Sequence, residues 1–129
     1  MASQDGMEQV NYLAPKLLKL RLWPDLKDPA KQWASSVTDN NFDARRVAIS
    51  SHTWAQELLV VSQFTLFATF KKPKPDFHQA MGGASAEELY EAFVAQLRTQ
   101  VKGVATGSFG AMMQALSRYK GLKALFLDV

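Results

Sequence analysis

The sequence predicts an α+β fold, in which two helices pack on a mixed β-sheet. Three observations carry this prediction: an apolar run rich in β-branched and aromatic residues at 57–70, an amphipathic pattern on each side of it, and further apolar segments towards the carboxyl end. At 129 residues the chain is long enough for one domain with its own hydrophobic core. We therefore expect a single domain over 1–129.

Composition excludes several kinds of chemistry. The chain has no Cys and only 2 His, which excludes a disulfide framework, a thiolate zinc site and a cysteine nucleophile. We expect His52 and His78 at the surface. No segment approaches the ~20 apolar residues of a membrane-spanning helix, and the first residues do not resemble a signal peptide, so we expect a cytoplasmic protein without a membrane partner. The net charge of +3 permits a nucleic-acid partner without indicating one.

The first predicted element is an amphipathic helix over 7–23, where Val10, Ala14 and Leu18 recur at helical spacing. Pro15 lies inside this pattern. A proline in a helix interior removes a backbone donor and costs about 3 kcal/mol. We therefore expect the regular helix to begin nearer Leu13.

The segment 24–41 is polar and rich in turn residues. Trp33 and Val37 are its expected inward anchors, and residues 35–38 are expected to form a short strand. Residues 43–56 follow no clear period, and we interpret them as an insertion-like loop.

The run 57–70, ELLVVSQFTLFATF, is predicted to be a central strand. Ser62, Gln63 and Thr65 interrupt its apolar pattern, and an unpaired buried hydroxyl or amide costs about 1–3 kcal/mol. Two interpretations remain open: these side chains bond to neighbouring backbone, or the end of the strand presents them to a substrate.

A basic loop follows, because the two prolines of KKPKP at 71–75 prevent ladder pairing. Its lysines suit either the protection of a sheet edge or the binding of phosphates. They are Lys71, Lys72 and Lys74.

A second helix is predicted over 85–98, with Ser85 as N-cap and Glu88 completing a capping box. Residues 104–117 and 122–129 are predicted as two closing strands joined by a turn at 119–121. The glycines of TGSFG at 106–110 let a backbone approach a ligand, and a tight turn explains them equally well.

Four segments together closely resemble the D-aminoacyl-tRNA deacylases: SQFTLFA at 62–68, KKPKPDFHQAM at 71–81, AEELYEAFVAQLR at 86–98 and ATGSFGAMMQ at 105–114. The resemblance covers residues 7–23 and 57–129. It implies hydrolysis of the ester between a D-amino acid and the terminal adenosine of tRNA. It also implies a mixed β-sheet or partly open barrel with two packed helices, a homodimer with active sites at the interface, and no metal or organic cofactor.

The resemblance also implies roles for particular residues. Ser62, Gln63 and Thr65 match the family's first signature and are the implied catalytic residues, with Phe64 shaping the amino-acid pocket. Backbone donors beside Gln63 and Phe64 are the implied oxyanion stabilisers. The attacking group is either water, assisted by the terminal ribose hydroxyl, or Thr65. Further implied contacts are to the adenosine from Ala111, Met112 and Met113, and to tRNA phosphates from Lys71, Lys72 and Lys74.

The chain departs from the family pattern in three places. In the family several strands precede the first helix, whereas this sequence begins almost directly with the predicted helix. We therefore expect a domain without the family's amino-terminal strands. The turn that gates chirality in the family ends in Gly-Pro and here reads Gly121-Leu122, and a cis peptide before a residue other than proline costs about 2.5–4 kcal/mol. Residues 43–56 have no counterpart in the family.

These departures leave four interpretations open. The leading one is a working D-aminoacyl-tRNA deacylase. The others are a non-catalytic family member that binds tRNA or a protein, an incomplete gene product, and a generic esterase that uses Ser62 or Thr65.

Overall fold

The structure is a computed structural model that describes residues 1–25, 27–41 and 58–111. It confirms the α+β class. In chain order it has three helices, α1 (Met7–Lys19), α2 (Val37–Asn41) and α3 (Gly83–Arg98), and two short strands, β1 (Leu58–Val60) and β2 (Val104–Thr106). A 3₁₀ turn (Phe64–Phe67) follows β1.

The core forms where α1 packs against α3. Each helix contributes a stripe at helical spacing, and the stripe of α1 includes the buried residues Val10, Ala14 and Leu18. The stripe of α3 includes Leu89, Phe93 and Leu97, and Leu97 has no exposed surface. Both strands lie against this core through half-buried side chains. The two predicted helices pack against each other rather than only on a sheet, and the mixed sheet or partly open barrel stays a prediction.

The two strands pair in parallel, with Leu58 opposite Val104 and Val60 opposite Thr106. Parallel neighbours require a crossover connection, and α3 lies in the connection between them. In the described residues β1 has no other strand partner, and Leu59 and Val61 are exposed. The carboxyl ends of both strands meet at one edge.

Helix α1 begins before Pro15 rather than after it. The Gln9 side chain accepts a hydrogen bond from the Gly6 backbone at 2.8 Å, which holds the first turn. Burial of Val10 and Ala14 against α3 keeps the chain helical through the proline. The helix ends at Lys19 instead of residue 23, because Leu20 is extended and Trp23 instead forms an antiparallel bridge to Ser35.

Two predictions for 24–41 were wrong. Trp33 is 63% exposed and has a φ of 56°, so it is not an inward anchor. Residues 35–38 are not a strand: Ser36 begins α2 as its cap, with its backbone and hydroxyl both donating to the Asp39 carboxylate at 2.9 and 2.7 Å. Val37 is buried as expected.

The predicted central strand 57–70 was too long. It stops at Val60, opposite Thr106 at the end of β2, and the Gly107 backbone N–H donates to the Val60 carbonyl at this end of the ladder. The predicted strand 104–117 likewise stops at Thr106. Residues 112–117 and 122–129 lie outside the described part of the chain, as does the loop 43–56.

The predicted N-cap of the second helix was also wrong. Helix α3 starts at Gly83 with Gly82 as its N-cap, so Ser85 and Glu88 lie inside the helix. The Ala86 N–H donates to the Gly82 carbonyl at 2.9 Å, which sets the earlier start. The predicted end at Arg98 is confirmed. No helix among the described residues is long and apolar enough to cross a membrane.

Truncating the side chains between α1 and α3 should destabilise the whole domain. We expect Leu97→Ala to lower the free energy of unfolding by about 2–5 kcal/mol, because it leaves a cavity between the helices. Leu20→Ala, at a side chain 37% exposed, is the matched control and should lower it by less than half as much. Equal decreases in a urea denaturation series would show that the core does not lie between α1 and α3.

Candidate functional site

A cavity of about 700 Å³ opens at the edge where both strands end. Parallel strands bring the segments that follow them to one edge, where ligands bind in many α/β proteins. The cavity wall combines five parts of the chain: the amino terminus, the segment after β1, residues 77–81, the start of α3 and the turn after β2. Its lining is Met1, Ser62, Gln63, Phe64, Phe77, Ala80, Met81, Gly82, Gly83, Ala86, Phe109, Gly110 and Ala111.

The polar residues after β1 lie in a turn rather than in a strand. Gln63 is extended, and the Ala68 N–H closes the 3₁₀ turn by donating to the Thr65 carbonyl at 3.3 Å. The Gln63 amide donates a hydrogen bond to the Thr65 hydroxyl. Both side chains are exposed, so the expectation that they sit inside a buried strand was wrong.

Ser62, Gln63 and Thr65 are not equivalent in this geometry. Ser62 and Gln63 line the cavity, whereas Thr65 is not part of its wall and reaches it through the Gln63 amide. A hydroxyl that accepts a bond from an amide keeps its own proton available for donation. The hydrogen bond from the Gln63 amide to Thr65 also orients the Gln63 side chain in the cavity wall.

Phe64 and Phe77 form an aromatic pair in the cavity wall. Their ring centroids are 5.1 Å apart at an interplanar angle of 75°, an edge-to-face contact. Thr69 and Asp76, on either side of the basic loop, exchange two backbone hydrogen bonds of 2.9 Å. This pairing brings Phe77 close to Phe64. Sequence analysis missed Phe77; its signal was a single aromatic residue within an otherwise polar segment.

The first turn of α3 forms part of the wall through Gly82 and Gly83. A Cβ added at either glycine would meet nothing within 4 Å, so both positions face open space. No side chain in the described part of the chain caps this turn, and the helix start carries partial positive charge. Backbone N–H groups are therefore available on this side of the cavity.

The turn after β2 forms the opposite wall. Gly110 has a φ of 71°, a left-handed conformation that disfavours a side chain. This turn places Phe109 and Ala111 in the lining, and the adenosine contact that the resemblance implies for Ala111 stays a prediction. Met112, Met113, Gly121 and Leu122 lie outside the described residues.

The basic loop lies outside the cavity wall. Lys71, Lys72 and Lys74 are exposed, as expected, between the paired residues Thr69 and Asp76. The loop therefore leads directly into Phe77 at the cavity. Its charges lie beside the site rather than within it.

His78 is exposed, as predicted, but its imidazole Nδ1 lies 2.7 Å from the Asp76 carboxylate. A hydrogen bond from the His78 backbone N–H holds the pKa of Asp76 below its usual value. The imidazole bond and the charges of His78 and Lys71 act in the same direction. His52 lies outside the described residues.

The described residues contain no cluster of three or more His, Asp or Glu side chains suited to a metal ion. Ester hydrolysis by water needs a group that stabilises the oxyanion, which backbone N–H groups supply in many hydrolases. The chemical resources of the cavity are therefore amide, hydroxyl and backbone groups beside aromatic rings.

Comparison with known proteins relates the chain to one family. The family model described as D-Tyr-tRNA(Tyr) deacylase matches residues 1–128. The D-aminoacyl-tRNA deacylase of Yarrowia lipolytica is 41% identical over 114 residues, which are 85% of this chain and 64% of that protein. The enzyme of that name from Cyanothece is 38% identical over 96% of this chain and 69% of its own length.

Two further proteins are similar to this chain over most of its length. Human D-aminoacyl-tRNA deacylase 1 is 35% identical over 86% of this chain, which spans only 46% of the human protein. Among solved structures, the c-Myc DNA Unwinding Element Binding Protein superposes with a TM-score of 0.70 at 34% identity, covering 88% of this chain and 67% of that one. The chain thus spans between about half and two thirds of these relatives.

The Asp76–His78 pair can be tested by titration. We expect His78→Ala to raise the pKa of Asp76 towards 3.8 without reaching it, because the backbone N–H of residue 78 still donates. Carboxyl ¹³C NMR measures this shift. Asp25 is the internal control, since its pKa is lowered mainly by backbone N–H groups of Lys27 and Asp28 and should not move. An unchanged Asp76 titration would contradict the imidazole contact.

Proposed function

Because the chain belongs to the D-Tyr-tRNA(Tyr) deacylase family, we propose that it hydrolyses the ester bond between a D-amino acid and tRNA, as a step of translation quality control. One observation supports this most: the family's signature residues Ser62, Gln63 and Phe64 line the same cavity as Phe109, Gly110 and Ala111. The two signature segments lie far apart in sequence, and the parallel strands bring them together.

In the proposed reaction, water attacks the ester carbonyl. The water oxygen forms a bond to the carbonyl carbon as the water gives up a proton. The bond from that carbon to the ribose oxygen then breaks, and the ribose oxygen takes up the proton. Backbone N–H groups beside Gln63 and Phe64 stabilise the developing oxyanion. Thr65 does not line the cavity, and its hydroxyl accepts a hydrogen bond from the Gln63 amide. Thr65 therefore acts through Gln63.

Substrate contacts follow from the walls of the cavity. The rings of Phe64 and Phe77 contact the amino-acid side chain, and Ala111 contacts the terminal adenosine. The family resemblance adds Met112 and Met113, which follow Ala111 in the sequence, to the adenosine contacts. At the position of the family's chirality-selecting turn this chain has Gly121-Leu122 in place of Gly-Pro, and a cis peptide before Leu122 would cost about 2.5–4 kcal/mol. No metal or organic cofactor takes part in this scheme.

The assembly we propose is a homodimer of single-domain chains. The edge of β1 that no described strand covers suits further strands of a mixed sheet or partly open barrel, and Leu59 and Val61 are exposed near it in sequence. Phe70 and Phe64 are also largely exposed, and an interface would cover such apolar surface. Residues 43–56 form an insertion in that domain, and the protein acts in the cytoplasm, where it meets tRNA.

The first variant to test is Thr65→Ala. If Thr65 only orients Gln63, we expect kcat for D-tyrosyl-tRNA hydrolysis to fall about tenfold, since a factor of ten corresponds to about 1.4 kcal/mol, near the strength of one hydrogen bond. The matched control is Thr99→Ala at the end of α3, which should leave kcat unchanged. A decrease of about 10⁴-fold or more would instead identify Thr65 as the nucleophile.

The basic loop gives a second test. The logarithm of the tRNA binding constant should fall linearly with the logarithm of the salt concentration. Replacing Lys71, Lys72 and Lys74 with Ala should make this slope less steep by about 0.7–0.9 for each phosphate that the loop neutralises. The same number of substitutions at the exposed residues Lys19, Lys27 and Lys31 is the control. Equal slopes in both triple variants would exclude the loop from tRNA binding. Salt-sensitive binding without hydrolysis in the parent chain would favour a non-catalytic tRNA-binding protein.

A further inference from the structure

Tyr90 connects helix α3 to the end of β1. Its hydroxyl donates a hydrogen bond of 2.8 Å to the Val60 carbonyl, 30 residues earlier in the chain. The side chain is buried, with 6% of its surface exposed. Tyr90 does not line the large cavity, but it lines a smaller one of about 70 Å³ together with Ser62 and Gln63.

The Val60 carbonyl is shared with the other strand. The Gly107 backbone N–H donates to the same oxygen at 3.2 Å. Val60 is the last residue of β1, and Gly107 directly follows β2. The Val60 carbonyl therefore accepts two hydrogen bonds, one from Gly107 and one from the Tyr90 hydroxyl. These bonds fix the distance between the two segments that continue into the cavity.

The ring of Tyr90 contacts the far wall of the site as well. It lies 5.7 Å from the Phe109 ring, tilted by 44°, and Phe109 lines the cavity. Burial raises the pKa of the Tyr90 phenol above its usual value, opposed in part by the Arg98 charge and by a hydrogen bond with the Gly107 backbone. The phenol is therefore neutral near pH 7 and keeps the proton that it donates to Val60.

We propose that Tyr90 is a positioning residue for the deacylation reaction, an inference that rests on the proposed function. Its hydroxyl and ring together hold the segment after β1 and the turn after β2 in the register that the cavity requires. Without the hydroxyl, the Val60 carbonyl keeps only the Gly107 donor, and the position of Gln63 relative to Phe109 becomes less defined. Small misplacements of catalytic groups slow a reaction strongly.

The test is Tyr90→Phe in the full chain, which removes one oxygen and keeps the ring against Phe109. We expect kcat for D-tyrosyl-tRNA to fall about tenfold with KM changed less than twofold, because Tyr90 does not line the substrate cavity. Tyr12→Phe is the matched control. It removes the same atom from an exposed position on α1, where the hydroxyl accepts a bond from Lys16, and should leave both constants unchanged.

A second measurement does not depend on activity. Amide hydrogen exchange at Gly107 should become about tenfold faster in Tyr90→Phe, while amides within α1 exchange as before, which separates local loosening from general destabilisation. If the parent chain hydrolyses no D-tyrosyl-tRNA, the proposed function fails and the exchange result alone decides the positioning role.

Three results would overturn the proposal. One is an unchanged kcat in a Tyr90→Phe variant whose circular dichroism shows the parent fold. Another is unchanged exchange at Gly107. The third is failure of the variant to fold, because the hydroxyl would then be required for folding rather than for the geometry of the site.

Discussion

The parallel pairing of β1 with β2 is the constraint on which the rest of the described structure depends. Parallel neighbours need a crossover, and α3 lies within that crossover, with α1 packed against it to form the core. The same pairing brings residues 62–64 and 109–111 to one edge. The packing that stabilises the domain therefore also assembles the walls of the cavity.

The chemical character of the site follows from what this edge presents. Exposed amide and hydroxyl groups lie after β1, an aromatic pair forms one wall, and the first turn of α3 contributes backbone N–H groups. Such groups suit the stabilisation of an oxyanion that forms as an ester is hydrolysed. The lysines lie beside the cavity rather than in its wall, a placement that suits the contacts with tRNA phosphates that we propose.

Sequence reasoning predicted the parts of the fold that local pattern determines. The stripes of α1 and α3, the end of α3 at Arg98 and the burial of Val37 follow from periodicity and side-chain type. It failed where tertiary contacts decide. Strand β1 ends at Val60 because its described partner β2 ends opposite it at Thr106, and Pro15 stays helical because its neighbours are buried against α3.

The candidate site shows the same division. The motif at 62–65 and the residue Ala111 were identifiable from the sequence through the family resemblance, which also implied their roles. Phe77 and Tyr90 were missed, since one lies in a polar segment and the other looks like an ordinary core position of a helix. Only the fold shows that Tyr90 reaches the Val60 carbonyl.

The most direct test of this account is hydrolysis of D-tyrosyl-tRNA beside L-tyrosyl-tRNA by the purified 129-residue chain, with buffer as the blank and circular dichroism as evidence of folding. We predict release of D-tyrosine well above the blank and faster than release of L-tyrosine. Release of neither amino acid by the folded chain would contradict the account.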